Sequence, residues 1–263
     1  MSTPRSPIAR AAEARFARYM DERGYSYEYE PDLGIPERPE YKVVASGLVL
    51  AAEVKAFETY GIFNDLAIGQ VRTRSLAEAL KPVRRQIKDA AGQLRSLRDR
   101  GWPLVVVLDN PAGRPIPLEP TMVIAAMYGD LSLQAPVEDD GTVGDFRSAL
   151  GRNGKLTVDH AYISAVAVVR QRDHGAAWFA QWYDEHRDEY GRDAAGQRAM
   201  IAAVTEAAAH DAPTGDDLYL EVFETVSDTA ARLPRDVFNG PLDIRWVPTP
   251  GRDGLMPLAA TDL

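Results

Sequence analysis

Glu40, Glu53 and Lys55 stand in a spacing that could hold a divalent cation. They fall in residues 39–58, where apolar residues alternate on either side of Ser46-Gly47. That dipeptide tolerates positive φ, and the pattern predicts a hairpin with a two-residue loop. Ala45 then faces Leu48, and paired residue numbers sum to 93, which sets Glu40 opposite Glu53. Lys55 is two residues further on and points to the same face as Glu53. Like charges directly opposite destabilise a sheet unless something compensates. A divalent cation between the carboxylates, with a lysine beside them, would do so.

The flanking elements must carry this hairpin. Residues 8–23 read as a helix with Ala12, Phe16, Tyr19 and Met20 on one apolar face and Gly24 at its stop. Tyr25 to Glu30 alternates aromatic and polar residues and reads as a strand, and Pro31 to Pro39 as a loop. Residues 59–74 read as a loop. A helix is expected from Ser75 to Arg100, opened by the capping box Ser75/Glu78, with Leu80, Val83, Ile87, Ala90, Ala91, Leu94 and Leu97 as its buried stripe. Residues 103–109 form a continuous apolar run, as in a central strand buried on both faces. This order makes residues 8–109 an α/β unit around a mixed sheet.

Beyond it, helices are expected at 120–128, 176–189 and 194–210, and strands at 163–169, 218–226 and 242–247. Residues 129–160 read as mostly irregular. Trp178, Phe179 and Trp182 fall at helical spacing, as core packing would place them. With no clean linker, one elaborated domain over 1–263 is expected, its core at 8–110 and an α+β extension at 111–263.

Composition narrows the function. The chain has 263 residues and no cysteine, so thiolate metal sites and disulfides are excluded. No apolar run approaches the ~18 residues of a membrane span, and the first residues lack a signal-peptide core; a cytoplasmic location is compatible with both. Net charge is −9, which argues against a protein that coats nucleic acid indiscriminately. Yet residues 72–100 carry a net +6 between two acidic segments. A local phosphate-contacting surface would look like this, as would a solvated helix face. The four histidines show no metal spacing, and no Walker or dinucleotide fingerprint occurs.

The first 110 residues resemble the PD-(D/E)XK superfamily, the restriction-endonuclease-like nucleases. Pro39-Glu40 stands at the family's first acidic position and Glu53-Val54-Lys55 at its (D/E)-x-K triplet. The resemblance implies a restriction-endonuclease-like core and a Mg²⁺- or Mn²⁺-dependent nuclease acting on DNA, with RNA the alternative and a homodimer left open. It implies that Glu40, Glu53 and the Val54 carbonyl bind metal, helped by Glu13 on the first helix. Lys55 would orient water or stabilise charge. Gln86 would support the site, Gln93 being a lesser candidate. Arg84, Arg85 and Lys88 would contact phosphates, while Glu58 reads as a rim charge.

The chain departs from the pattern in one place: the family's first carboxylate is usually aspartate, and Glu40 is one methylene longer. Asp32, after Pro31, is the alternative, but the hairpin register would place it beyond the strand. A second Glu-x-Lys triplet, Glu40-Tyr41-Lys42, shows how weak the motif is by itself. The competing readings are a catalytically impaired binding module on the same fold, and an unrelated α/β protein.

Overall fold

The Ser46-Gly47 turn has φ of 51° and 76°. Positive φ at both central residues is the two-residue geometry whose twist matches the flanking strands. The computed structural model describes residues 5–35, 37–59, 73–145, 147–156, 159–249 and 255–258. Strands β2 (Tyr41–Ala45) and β3 (Leu48–Ala56) pair antiparallel from Ala45↔Leu48 to Tyr41↔Ala52, the expected register. β1 (Ser26–Tyr29) pairs antiparallel on the other edge of β2.

β3 continues the sheet on its far side with β4 (Leu104–Asp109) in parallel register, Glu53 against Val106. All six β4 residues are buried, because β4 is in turn paired in parallel with β7 (Ala165–Asp173). That is the physical source of its unbroken apolar run. The chain is mixed α/β, with an eight-stranded sheet that continues through β8 (Asp216–Glu224), β9 (Ile244–Pro248) and β10 (Leu255–Pro257). β10 carries no strand signal beyond three residues, and the sequence does not announce it.

α1 (Pro7–Glu22) is capped by Ser6, whose Oγ accepts from the Ala9 N–H at 3.1 Å. Its buried face is the expected one, with Glu13 added. Phe16 meets Tyr41, the partner of Ala52, ring edge to face. Ala51 instead packs in the cluster containing Val83, Ile87 and Leu94. Alternation along β3 therefore sets α1 and the later helix on opposite faces of the sheet.

That later helix is broken. α2 (Leu76–Ala79) ends at Leu80 and α3 (Lys81–Leu94) begins beyond it, followed by a 3₁₀ turn over Arg95–Arg100. Pro82 lacks an N–H and its ring clashes one turn back, so the single expected helix cannot pass through it. The Ser75 cap forms as expected, its Oγ accepting from the Glu78 N–H. The loop expected at 59–74 lies almost wholly outside the described residues.

α4 (Pro120–Tyr128) leads into a two-stranded ribbon, β5 (Gly129–Gln134) with β6 (Arg147–Asn153), where irregular chain was expected. Gly, Asp and Asn are disfavoured in strands and mask the pattern; the register shifts between Gly129 and Leu131.

The chain forms two compact units, residues 1–169 with 220–263, and residues 170–219. The second holds α5 (His174–His186) and α6 (Ala194–Asp211). Here core packing of the aromatic stripe is corrected. No α5 residue is buried, Phe179 is 47% exposed, and Trp182 stacks on His186. Helical spacing gives a stripe, but α6 is rich in alanine and offers little area to cover it.

Candidate active site

Glu40 and Glu53 clamp the end of the hairpin reciprocally. The Glu40 N–H donates to Glu53 Oε2 at 3.1 Å, and the Val54 N–H donates to Glu40 Oε2 at 2.6 Å. Each carboxylate thus takes a backbone donor from the opposite strand just past the last ladder pair. Lys55 Nζ donates to Glu53 Oε1 at 2.8 Å and also to Gln93 Oε1 on α3. Glu53 is fully buried and Glu40 is 7% exposed. So the expected trio is one cluster on adjacent strands, and its fourth carboxylate oxygen, Glu40 Oε1, has the Arg5 guanidinium at 3.6 Å.

Burial makes this pair electrostatically costly. It pushes the Glu40 carboxyl up to about 8, helped by the Glu53 charge and opposed by Lys55. Burial also raises Glu53, against the pull of Lys55 and of its hydrogen bonds. The two titrate as a unit, and desolvation of negative charge is the dominant cause.

Glu13 comes near the same end of the sheet. Its Oε2 accepts from Tyr29 Oη at 2.7 Å and from Arg5 Nη1 at 3.0 Å, while its buried Oε1 has no hydrogen-bond partner among the described residues. Arg5 also pairs with Glu30 at 2.8 Å and donates to Tyr29 Oη. Arg5, Tyr29 and Glu30 are neighbours that the sequence does not disclose. Arg5 lies in an aperiodic Pro/Ser segment, and no local pattern reports contacts with distant residues.

Oxygen donors of this kind suit hard divalent ions. Among the described residues no three acidic or histidine side chains converge into a metal cage. Two carboxylates do converge, and Mg²⁺ commonly takes one or two carboxylates and keeps several waters. The Glu40 carboxyl, whose ionisation a bound cation would favour, and the Glu13 Oε1 fit that arrangement. Asp32 stands apart, exposed, accepting from the Gly34 N–H and paired with Arg38. Glu58 accepts from Ser6 Oγ at the rim.

Gln86 and Gln93 are seven residues apart, so helical spacing alone could not choose between them. Gln86 Nε2 donates to the Ala56 carbonyl at 3.1 Å, and Gln93 reaches Lys55. Both touch the β3 segment, but the contact with a functional side chain belongs to Gln93. Asp109, at the end of β4 and in register with Ala56, is a further buried acid. Burial raises it to about 6, against Arg15 of α1, which pairs with it at 3.0 Å. That pair ties α1 to the sheet.

Of the three expected phosphate contacts, Arg84 is placed otherwise. It is 5% exposed, and its Nη2 donates to the Ala125 carbonyl at 3.1 Å and to Asp130 at 2.6 Å. Position 84 neighbours the Val83/Ile87 stripe closely enough to be drawn under α4. Arg85 pairs with Asp89 at 3.5 Å, and Lys88 is exposed. Arg84→Ala should therefore cost about 2–3 kcal/mol in urea unfolding, because it strands a carbonyl and a half-buried carboxylate. Arg85→Ala should change stability by less than about 0.5 kcal/mol. Equal stability of the two variants would return Arg84 to the surface.

Among the described residues no helix is long and apolar enough to cross a membrane. No protein-family model, curated protein or solved structure matches this chain.

Proposed function

We propose that this protein hydrolyses phosphodiester bonds in nucleic acid, DNA first, as a Mg²⁺- or Mn²⁺-dependent nuclease of the PD-(D/E)XK type. The observation that carries the reading is the buried Glu40/Glu53 pair with Lys55 hydrogen-bonded beside it. The element order of helix, three strands, helix and strand agrees with a restriction-endonuclease-like core. Glu40 and Glu53 would hold the ion, with the Val54 carbonyl and Glu13 Oε1 as further oxygen donors. Such an ion, when bound, supplies Lewis-acid polarisation of the phosphoryl group and a water of lowered pKa. Lys55 is held by Glu53 and Gln93 with its charge fixed in a half-buried position, suited to orient a water or to offset charge on a phosphoryl oxygen. Cleavage of single- and double-stranded DNA and of RNA, with Mg²⁺, Mn²⁺ or EDTA, tests this. Absence of cleavage on every substrate, together with no metal binding by calorimetry, would sink it.

Arg5 favours a second reading, a nuclease-like fold used for binding only. Its guanidinium pairs with Glu13 and Glu30 and approaches Glu40, so the protein supplies its own cation where an ion would sit. If the catalytic reading holds, Arg5→Ala should tighten Mn²⁺ binding about tenfold, since removal of a competing charge of this kind is worth on the order of 1.4 kcal/mol. Calorimetry that finds no Mn²⁺ binding by either protein favours the second reading.

A further inference from the structure

Three cavities line the outer side of α3 and share residues end to end. The first, about 270 Å³, is bordered by Lys81, Arg85 and Gln86. The second, about 510 Å³, shares Lys81 and Arg85 with it and adds Lys88, Lys155 and the edge of Arg84. The third, about 530 Å³, shares Lys88 and continues past Gln93 to Arg95 and His160. They make one groove that passes Gln86 and Gln93, the two side chains that reach the Ala56 carbonyl and Lys55. α3 has 14 residues, so the groove follows about 21 Å of helix.

The groove is cationic. Among the described residues, none of Lys81, Lys88 and Lys155 lies within ion-pair distance of a carboxylate. Ordinary surface lysines are often paired along a helix, as Arg85 is with Asp89; these are left for solvent or a ligand. Lys88 and Arg95 come from α3 and the turn after it, Lys155 from the chain beyond β6, so separate segments converge. His160 reports the convergence. Its ring is held below its usual range first by burial and then by Arg95, Lys88 and Lys155 together, against Asp159.

His160 is also a built feature and not a surface residue. It is 4% exposed and lines the third cavity. Tyr162 Oη donates its one hydrogen to the Ala91 carbonyl at 2.7 Å, so it accepts from His160 Nδ1 at 3.1 Å. That fixes the ring with its proton on Nδ1 and leaves Nε2, an acceptor in the neutral ring, without a protein partner among the described residues. Arg84 in the second cavity is likewise buried, and its Nε has no hydrogen-bond partner among the described residues.

We infer that the groove along α3, with Lys81, Lys88, Arg95 and Lys155 at its sides and His160 at its floor, binds the sugar-phosphate backbone of the nucleic acid whose scissile phosphate reaches Lys55. This rests on the phosphodiesterase reading and moves its substrate path from Arg84, which is held by Ala125 and Asp130, to the groove that Arg85 borders. Glu58 in the first cavity, Asp89 in the second and third and Glu37 in the third offset part of the groove's positive charge, and Asp159 lies beside His160.

The test is fluorescence anisotropy with labelled single-stranded and duplex DNA in EDTA, over a salt series. The triple variant Lys88→Gln, Arg95→Gln, Lys155→Gln should weaken binding at least tenfold and flatten the salt slope by about two to three. All three side chains are exposed or half-buried, and an unchanged unfolding midpoint establishes that the variant is folded. The control triple Arg187→Gln, Arg192→Gln, Arg198→Gln removes equal charge from exposed positions outside the groove and should bind as wild type does. Equal loss in both triples, unchanged binding by the groove triple, or displacement of DNA by millimolar inorganic phosphate alone would overturn the assignment. Because binding is read in EDTA, a wild type that binds through the groove yet cleaves nothing with metal refutes the phosphodiesterase reading alone. A wild type that cleaves while the groove triple binds normally refutes the groove alone.

Discussion

Lys55→Ala should leave a folded protein whose cleavage rate is about 10²–10³-fold lower, the usual effect of removing one preorganised donor from developing charge. The lysine is fixed by two hydrogen bonds, to Glu53 and to Gln93, so its charge needs no reorganisation when a phosphoryl oxygen arrives. Its loss also strips Glu53 of its hydrogen-bonded counter-charge and leaves the more distant Arg5, which should lower stability by about 1–2 kcal/mol. Urea unfolding separates the two effects, since a stability change of that size leaves the protein folded under assay conditions. Lys55→Arg keeps the charge but spreads it over a planar fork that cannot sit in the same pocket. It should recover stability more than rate. Wild-type cleavage by folded Lys55→Ala would mean that the chemistry takes place elsewhere.

Gln93 bears on the same point, because the family resemblance ranks it below Gln86 and helical spacing cannot separate the two. Periodicity tells which face of a helix a residue occupies, and residues 86 and 93 share one. Which of them meets Lys55 depends on how far along β3 the helix is set, and that is fixed by the break at Pro82 and by packing on Val106 and Leu108. The hairpin was legible for the opposite reason. Its register follows from a two-residue turn and a period of two, both local, so the Glu40/Glu53 pairing could be counted off the chain. β4 was legible because a strand paired in parallel on both sides is apolar throughout. Arg84 was misread because charge is a poor guide when a long side chain can thread under a neighbouring helix to a carbonyl. Arg5 gave no signal at all: its partners, Glu13, Tyr29, Glu30 and Glu40, lie on α1, at and just after the end of β1, and just before β2.

The buried carboxylates should make the metal-free protein less stable as pH rises. Glu40 is raised to about 8 in the folded chain, against 4.5 when exposed. Between those values the folded state binds more protons than the unfolded state, so stability falls as pH increases through the window. Asp109, raised to about 6, adds to the fall in its lower part. His160 works in the opposite sense below its exposed value of 6.5, because its folded pKa is lowered. The range from pH 6.5 to 8 therefore isolates the Glu40/Glu53 pair. At about 1.4 kcal/mol per pH unit for one proton, the expected loss there is about 2 kcal/mol, read from urea unfolding in EDTA. Glu40→Gln removes the titration while keeping a side chain that can accept from the Val54 N–H, and should flatten the profile. A divalent ion that needs both carboxylates ionised should flatten it too, by stabilising the high-pH form by about 2.7 kcal/mol at a hundredfold excess over its Kd. The metal effect must then grow from pH 6.5 to 8 and vanish in Glu40→Gln. A metal effect that is the same at both pH values, or that survives the substitution, would place the ion away from this pair and take the phosphodiesterase reading with it.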